Sequence, residues 1–177
     1  MEIRQVVYQK DYPLLKSLHL RFIDWAWNQM KEVNGIEMVP FDNQYQTNLN
    51  QKAEESARQY GSVTPPDGLF YLLWEKSEAI GMGGFFRYEN TIAEVKRMYI
   101  DPKYQGRGYG KMLVKRIISD AKTMNFTALR LDSMKLMHAA HQVYRSCGFK
   151  ERAPYHRKFN RHSDAIMQFF VFMELEF

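Results

Sequence analysis

Between Asp11 and Val33 the large apolar residues Leu15, Leu18, Phe22, Trp25 and Met30 recur at spacings of three, four and five. That rhythm places them on one helical face, and the helix is predicted to end at Asn34-Gly35. A second, more polar helix is expected from about Tyr45 to Tyr60, stopping at Gly61. SVTPPDG then breaks the pattern, and LFYLLWE and AIGMGGFFRYE read as two strands joined across Lys76-Ser77-Glu78. A third strand, Ile92 to Ile100, feeds into DPKYQGRGYGKML, Asp101 to Leu113. Beyond it Leu113, Ile117 and Ala121 repeat every four residues beside Val114 and Ile118, which predicts a helix over Gly108 to Thr123 with one buried stripe. TALRLDS, Thr127 to Ser133, alternates like a strand. His138 to Cys147 suits a short helix ended by Gly148, and Met167 to Phe177 reads as a closing strand, with 154–164 irregular before it. Strands that first pair locally and are later separated by helices indicate an α/β or α+β domain with a mixed sheet.

A chain of 177 residues, 45% hydrophobic, is expected to form a single domain over 1–177. No apolar run approaches the roughly 20 residues a bilayer requires, and MEIRQVVYQKDYPLL lacks a basic start and a small-residue cleavage site. A cytoplasmic protein without a membrane partner is the expectation. The single cysteine, Cys147, forms no internal disulfide and reads as an inert thiol, since no activating base is predicted beside it.

The net charge of +5 is unevenly spread. Residues 1–88 carry 9 Lys and Arg against 11 Asp and Glu, net −2, while residues 89–177 carry 16 against 9, net +7. The basic half holds the glycine loop, so an anionic ligand and a solvated basic face both remain open. A nucleic-acid partner is not expected, because the basic residues alternate with apolar helix positions and no aromatic RNA-binding motif occurs. His138 and His141 stand three apart on one helix without a third ligand at a sensible spacing, so no metal is expected.

Two phosphate motifs fail on the loop. A Walker A loop needs G-x-x-x-x-G-K-[ST], but position 105 is Gln and Lys111 is followed by Met112; a dinucleotide fingerprint begun at Gly106 and Gly108 meets Lys111 where its third glycine belongs. What remains is Q-G-R-G-Y-G-K opening a helix straight after a strand. Unpaired N–H groups at a helix start, with Arg107 and Lys111 beside them, suit a pyrophosphate, while a tight turn using glycine only for geometry is the alternative.

Gln105-Gly106-Arg107-Gly108-Tyr109-Gly110, after AEVKRMYIDP and before an amphipathic helix, resembles the acetyl-CoA signature Q-x-x-G-x-G of the GNAT family of N-acetyltransferases. VYRSCGF, Val143 to Phe149, resembles that family's Leu-Tyr-x-x-x-Gly-Phe helix end, and the two motifs with the elements between them cover roughly residues 69 to 150 in the family's order. The resemblance implies a mixed, mostly antiparallel sheet, splayed at the strand before the glycine loop and flanked by helices. It further implies that backbone groups of Met98, Tyr99 and Ile100 pair with the pantetheine arm of acetyl-CoA, and that the amides from Gly106 to Lys111, with Gln105 at the entrance, meet the pyrophosphate. Tyr144 matches the tyrosine that protonates the leaving thiolate, its alternative being a core aromatic. Glu94, six residues before Ile100, stands where several members carry a glutamate base, an exposed strand carboxylate being the other account. One departure is Met137, where many relatives have an asparagine that contacts the pantetheine.

The implied activity is transfer of an acetyl group from acetyl-CoA to a primary amine of a small metabolite by direct attack on the thioester. Acetylation of a protein lysine or N-terminus, and a non-catalytic CoA-binding module, are the alternatives. The amine is expected to enter near Phe22, Trp25, Trp27, the Gln44 to Asn50 region and PYHRKFNRH, Pro154 to His162. Arg152, Arg157, Lys158 and Arg161 near that rim suit a carboxylate or phosphate on the acceptor, or plain solvation. A homodimer is left open.

Overall fold

The computed structural model describes residues 1–34, 48–155 and 169–177. Strand β1 (Glu2–Gln5) leads into helix α1 (Tyr8–Asn34), and helix α2 (Leu49–Gly61) precedes the strands β2 (Gly68–Glu75), β3 (Glu78–Glu89) and β4 (Ile92–Ile100). A 3-10 turn at Pro102–Tyr104 and helix α3 (Tyr109–Thr123) follow, then β5 (Ala128–Met134), α4 (His138–Ser146), β6 (Lys150–Arg152) and β7 (Phe170–Glu176). The seven strands form one sheet in the order β1-β2-β3-β4-β5-β7-β6. Only β4 and β5 run parallel; the other neighbours are antiparallel. The expected mixed, mostly antiparallel sheet flanked by helices is therefore present.

Helices cover both faces. On one, Leu113, Val114, Ile117 and Ala121 of α3 and Tyr144 of α4 pack with Tyr71, Phe85, Val95, Leu129 and Leu131. On the other, Leu15 and Leu18 of α1 and Ala57 and Tyr60 of α2 pack on Phe70, Leu72, Met82 and Tyr99. Each face thus receives one apolar helix stripe at the 3.6-residue period, and burying these stripes is the main favourable term in folding.

Strand β4 changes phase partway along. Ala93 and Val95 belong to the α3/α4 core, as do Met98 and Ile100 in part, whereas Tyr99 belongs to the α1/α2 core. Strict alternation would put 95 and 99 on one face. The switch is a bulge: Gly84 pairs with Lys96 and Met82 with Tyr99, so Arg97 and Met98 share Gly83 as their opposite. Arg97 adopts φ 57° there. Gly83 is required by the close approach, since a Cβ on it would stand 2.5 Å from the Met98 Sδ.

A buried histidine marks the α1/α2 side. His19 is fully inaccessible, its Nδ1 lies 2.8 Å from the Leu15 carbonyl, and its ring clusters, nearly parallel, with those of Tyr60 and Phe70, each 5.9 Å away. Burial pulls its pKa down to about 4; the Leu15 bond opposes this and the nearby Arg97 charge adds to it. The unfolded chain therefore binds a proton that the folded one refuses. Stability from this group is complete above about pH 6.5 and lost as pH falls toward 4, by about 3 kcal/mol in all. Urea denaturation at pH 7 and pH 4 checks this: His19→Gln is expected to show a smaller pH loss than the parent by that amount, and equal losses would refute it.

Candidate active site

The strand-to-helix passage after β4 is built by short-range chemistry. Asp101, 6% exposed, accepts the Lys103 backbone N–H (3.2 Å) through Oδ1 and ion-pairs with Arg21 of α1 (2.9 Å) through Oδ2, which fixes where the strand ends and the 3-10 turn begins. Gln105 Nε2 donates back to the Ile100 carbonyl (2.9 Å). Gly106 and Gly108 have φ of 76° and 81°, a region that L side chains rarely adopt. Gly108 is the N-cap of α3, and no side chain caps that helix start. The first N–H groups of a helix have no intrahelical partner, so those of Tyr109, Gly110 and Lys111 are donors for a ligand.

A Cβ added at Gly106, Gly108 or Gly110 would meet nothing within 4 Å. Turn geometry explains the first two glycines. It does not explain Gly110, which sits inside the helix without a positive φ and without a crowding neighbour. Arg107 leans away from the amides, over the Tyr104 ring (5.1 Å) and toward Glu75 (3.5 Å), and Tyr109 also donates to Glu75. Lys111 is exposed at the first turn of the helix.

Beside the loop the sheet opens. Pairing of β4 with β5 covers only Ile92–Glu94 against Ala128–Arg130, so the β5-facing edge of β4 from Val95 to Ile100, including Met98, Tyr99 and Ile100, has no strand partner among the described residues. The expected splay lies at this strand. Lys96, two residues past the last ladder pair, reaches across the gap to Asp132 (2.5 Å), two residues past it on β5. The same ammonium contacts Glu94 Oε1 (3.0 Å). Burial would lower the Lys96 pKa, but the charges of Asp132 and Glu94 outweigh it and hold it above its ordinary value.

Glu94 is 3% exposed, which overturns the exposed-carboxylate account of it. It also accepts a hydrogen bond from the Tyr155 hydroxyl (2.7 Å). Tyr155, which follows β6, packs edge-on against Tyr88 and Phe172. Tyr144 lies on α4, 6% exposed, with its ring 5.9 Å from that of Phe149. Burial, and then the negative charge of Asp132, push its pKa up. Asp132 thus faces Lys96 directly and Tyr144 electrostatically, so the structure brings Glu94, Lys96, Asp132 and Tyr144 together around the mouth of the splay. Met137 is the residue before α4 and offers no side-chain cap. Among the described residues no group of three or more His, Cys, Asp or Glu is placed to hold a metal, and no helix is long and apolar enough to cross a membrane.

On the α1/α2 side, Phe22 and Trp25 pack against the Tyr99 ring at 5.8 and 5.9 Å, while Trp27 is buried. Arg152 is drawn to Glu174. Gln44 to Thr47, Arg157, Lys158 and Arg161 lie outside the described residues. A recess of about 300 Å³ lined by Tyr60, Val63, Phe86 and Arg87 opens toward the β3–β4 turn, the opposite end of these strands from the glycine loop.

Lys96 and Asp132 are site neighbours that pattern reading did not select, while Tyr155 lies in the Pro154 to His162 segment expected near the acceptor. Lys96 and Asp132 meet only because β4 and β5 align in parallel, a register that no local spacing encodes.

Comparisons with known proteins agree with this geometry. An uncharacterised N-acetyltransferase of Dictyostelium discoideum is 40% identical over 65 residues, 37% of this chain and 30% of that protein. The N-acetylaspartate synthetase of Rattus norvegicus is 31% identical over 90 residues, 50% of this chain and 30% of that one. The chain thus spans less than a third of the length of either relative. The crystal structure of the PaiA N-acetyltransferase of Thermoplasma acidophilum in complex with coenzyme A superposes with a TM-score of 0.71 at 19% identity, covering 99% of this chain and 98% of that one, and so shares the fold. The profile of the acetyltransferase (GNAT) family matches residues 22–149, from α1 through the splay and the glycine loop to the end of α4, and the chain belongs to that family.

Proposed function

We propose that this chain, acting as one domain in the cytoplasm, transfers the acetyl group of acetyl-CoA to a primary amine of a small metabolite. The observation that carries the reading is Gly110: open space where its Cβ would stand, at an uncapped helix start, beside a strand edge left bare by the splay. A pyrophosphate fits the amides of Gly106 to Lys111, with Gln105 holding the loop entrance and Lys111 adding charge. The extended pantetheine arm, with its two amides, fits the bare edge at Met98, Tyr99 and Ile100 as an added strand would. The name of the rat relative, an N-acetylaspartate synthetase, supports a small amine as acceptor.

Bound acetyl-CoA supplies an activated acyl carbon: the amine nitrogen forms the new C–N bond, the C–S bond breaks, the nitrogen loses a proton and the thiolate gains one. Tyr144, its phenol kept protonated by burial and by Asp132, donates a hydrogen bond to the sulfur as charge develops. With a phenol less acidic than a thiol, that bond stabilises the thiolate before solvent completes its protonation. Glu94 is the acceptor for the ammonium proton, reached directly or through water, and Lys96 and Tyr155 orient its carboxylate.

Thermal denaturation with and without about 1 mM acetyl-CoA, followed by mass spectrometry of amines incubated with both, tests the reading. A ligand that binds only the folded chain must raise the melting temperature. A rise together with an N-acetylated amine of low mass supports the proposal. No rise overturns it, and acetylation confined to protein lysines or N-termini overturns the small-metabolite part.

A further inference from the structure

Arg97 is a cation set among aromatic rings. It projects from the β4 bulge toward α1 and α2, its guanidinium 5.6 Å from the centre of the Phe22 ring and 5.1 Å from that of Tyr60. Its one hydrogen bond among the described residues is a long contact to the Ser56 hydroxyl (3.4 Å), and its Nε is buried with no partner. Acids of the neighbouring elements are engaged elsewhere: Asp101 with Arg21, Glu54 with Lys16 and Arg58, Glu94 with Lys96. Burying a cation without a counter-ion is unfavourable, and aromatic faces compensate only in part.

Two further features agree. Arg97 holds a left-handed backbone conformation that is uncommon for a residue with a side chain, and such outliers gather at functional sites. The histidine beside it, His19, is kept neutral and adds no charge of its own. The Arg97 charge stands next to Met98, where the bare strand edge lies.

We propose that Arg97 binds the carboxylate of the acceptor, which makes the substrate class an amine that also carries a carboxylate, in the manner of an amino acid. The inference rests on the acetyltransferase reading above. A planar carboxylate suits the guanidinium fork, which can donate to both oxygens. A single guanidinium with no acid paired to it among the described residues matches a monoanion; a phosphate dianion would leave excess negative charge beside it.

The test uses the whole chain, acetyl-CoA and matched acceptors: L-aspartate, L-alanine and L-phenylalanine, each with its α-carboxamide counterpart, and O-phosphoethanolamine. At least one amino acid should be acetylated with a kcat/KM tenfold or more above that of its amide. Arg97→Asn tolerates the left-handed backbone and removes the charge; it should raise KM for that amino acid at least tenfold, with a smaller change in kcat and an unaltered thermal shift from acetyl-CoA. Arg97→Lys should recover part of the lost affinity. Equal use of acids and amides, preference for O-phosphoethanolamine, or an Arg97→Asn effect on kcat alone overturns the proposal. So does acetyl-CoA binding with no member of the panel acetylated, whereas absence of acetyl-CoA binding sinks the acetyltransferase reading itself. The comparison of acids with amides on the unaltered chain decides the matter even where Arg97→Asn does not fold.

Discussion

Tyr144→Phe is expected to lower kcat by about 10²-fold while leaving the fold and acetyl-CoA binding intact. The ring is buried against Phe149 and the α3/α4 core, and phenylalanine keeps that volume. The hydroxyl makes no hydrogen bond to the described residues, so removing it strands no buried partner and should change stability little. If Tyr144 only packs, turnover therefore stays near the parent's. If it hydrogen-bonds the departing sulfur, the loss falls on the chemical step. Slow product release would mask part of that loss in steady state, so single-turnover rates are the decisive measurement. Rates within about twofold of the parent on a verified acceptor would remove Tyr144 from the chemistry.

A second large effect is expected from Gly108→Asp, with acetyl-CoA affinity falling at least 100-fold while the chain stays folded. A Cβ added there meets no neighbour within 4 Å, and Asp is among the residues that tolerate a positive φ. A negative charge at a helix start is favourable for the helix itself, by roughly 0.3–1 kcal/mol. It is unfavourable for a pyrophosphate drawn to the same amides. Stability and binding are thus expected to move in opposite directions. Gly110→Ala provides the milder companion: alanine in a helix gains about 0.5–1 kcal/mol over glycine, yet its methyl group intrudes where the ligand approaches. Titration calorimetry with acetyl-CoA alongside urea denaturation would show both signs. Unchanged affinity in both folded variants would mean that the loop serves only as a turn.

The order of elements from β2 to α4 was legible because each signal is local. Apolar runs bounded by turn residues marked β2 and β3, alternation marked β5, a four-residue apolar repeat marked α3, and Gly148, at φ 97°, ended α4 where expected. The expected start of α3 differed by one residue, since Gly108 is its N-cap. Two strands escaped detection. β1 and β6, four and three residues long, are too short to show alternation, and they exist because β2 and β7 offer them edges to pair with. The start of α1 at Tyr8 was missed as well, because Asp11 captures the Val7 N–H from within the helix (2.9 Å) although Pro13 follows.

At the site, the glycine loop and Tyr144 could be picked out by motif. The burial of Glu94 could not, for it depends on Tyr155, from the segment after β6, and on the Lys96–Asp132 pair that bridges β4 and β5. Arg97 was hidden for another reason. Nothing in AEVKRMYI announces an extra residue, since the glycine that accommodates it lies on the neighbouring strand at position 83.

That extra residue is one the strand could lose without turning over. Without Arg97, Lys96 would still stand opposite Gly84, Met98 opposite Gly83 and Tyr99 opposite Met82, a regular ladder in which Tyr99 keeps its place against Phe22 and Trp25. What such a deletion would remove is the guanidinium itself and the added local twist of the bulge. The bulge therefore serves the side chain it presents, and the register of the strand beyond it is indifferent to its presence.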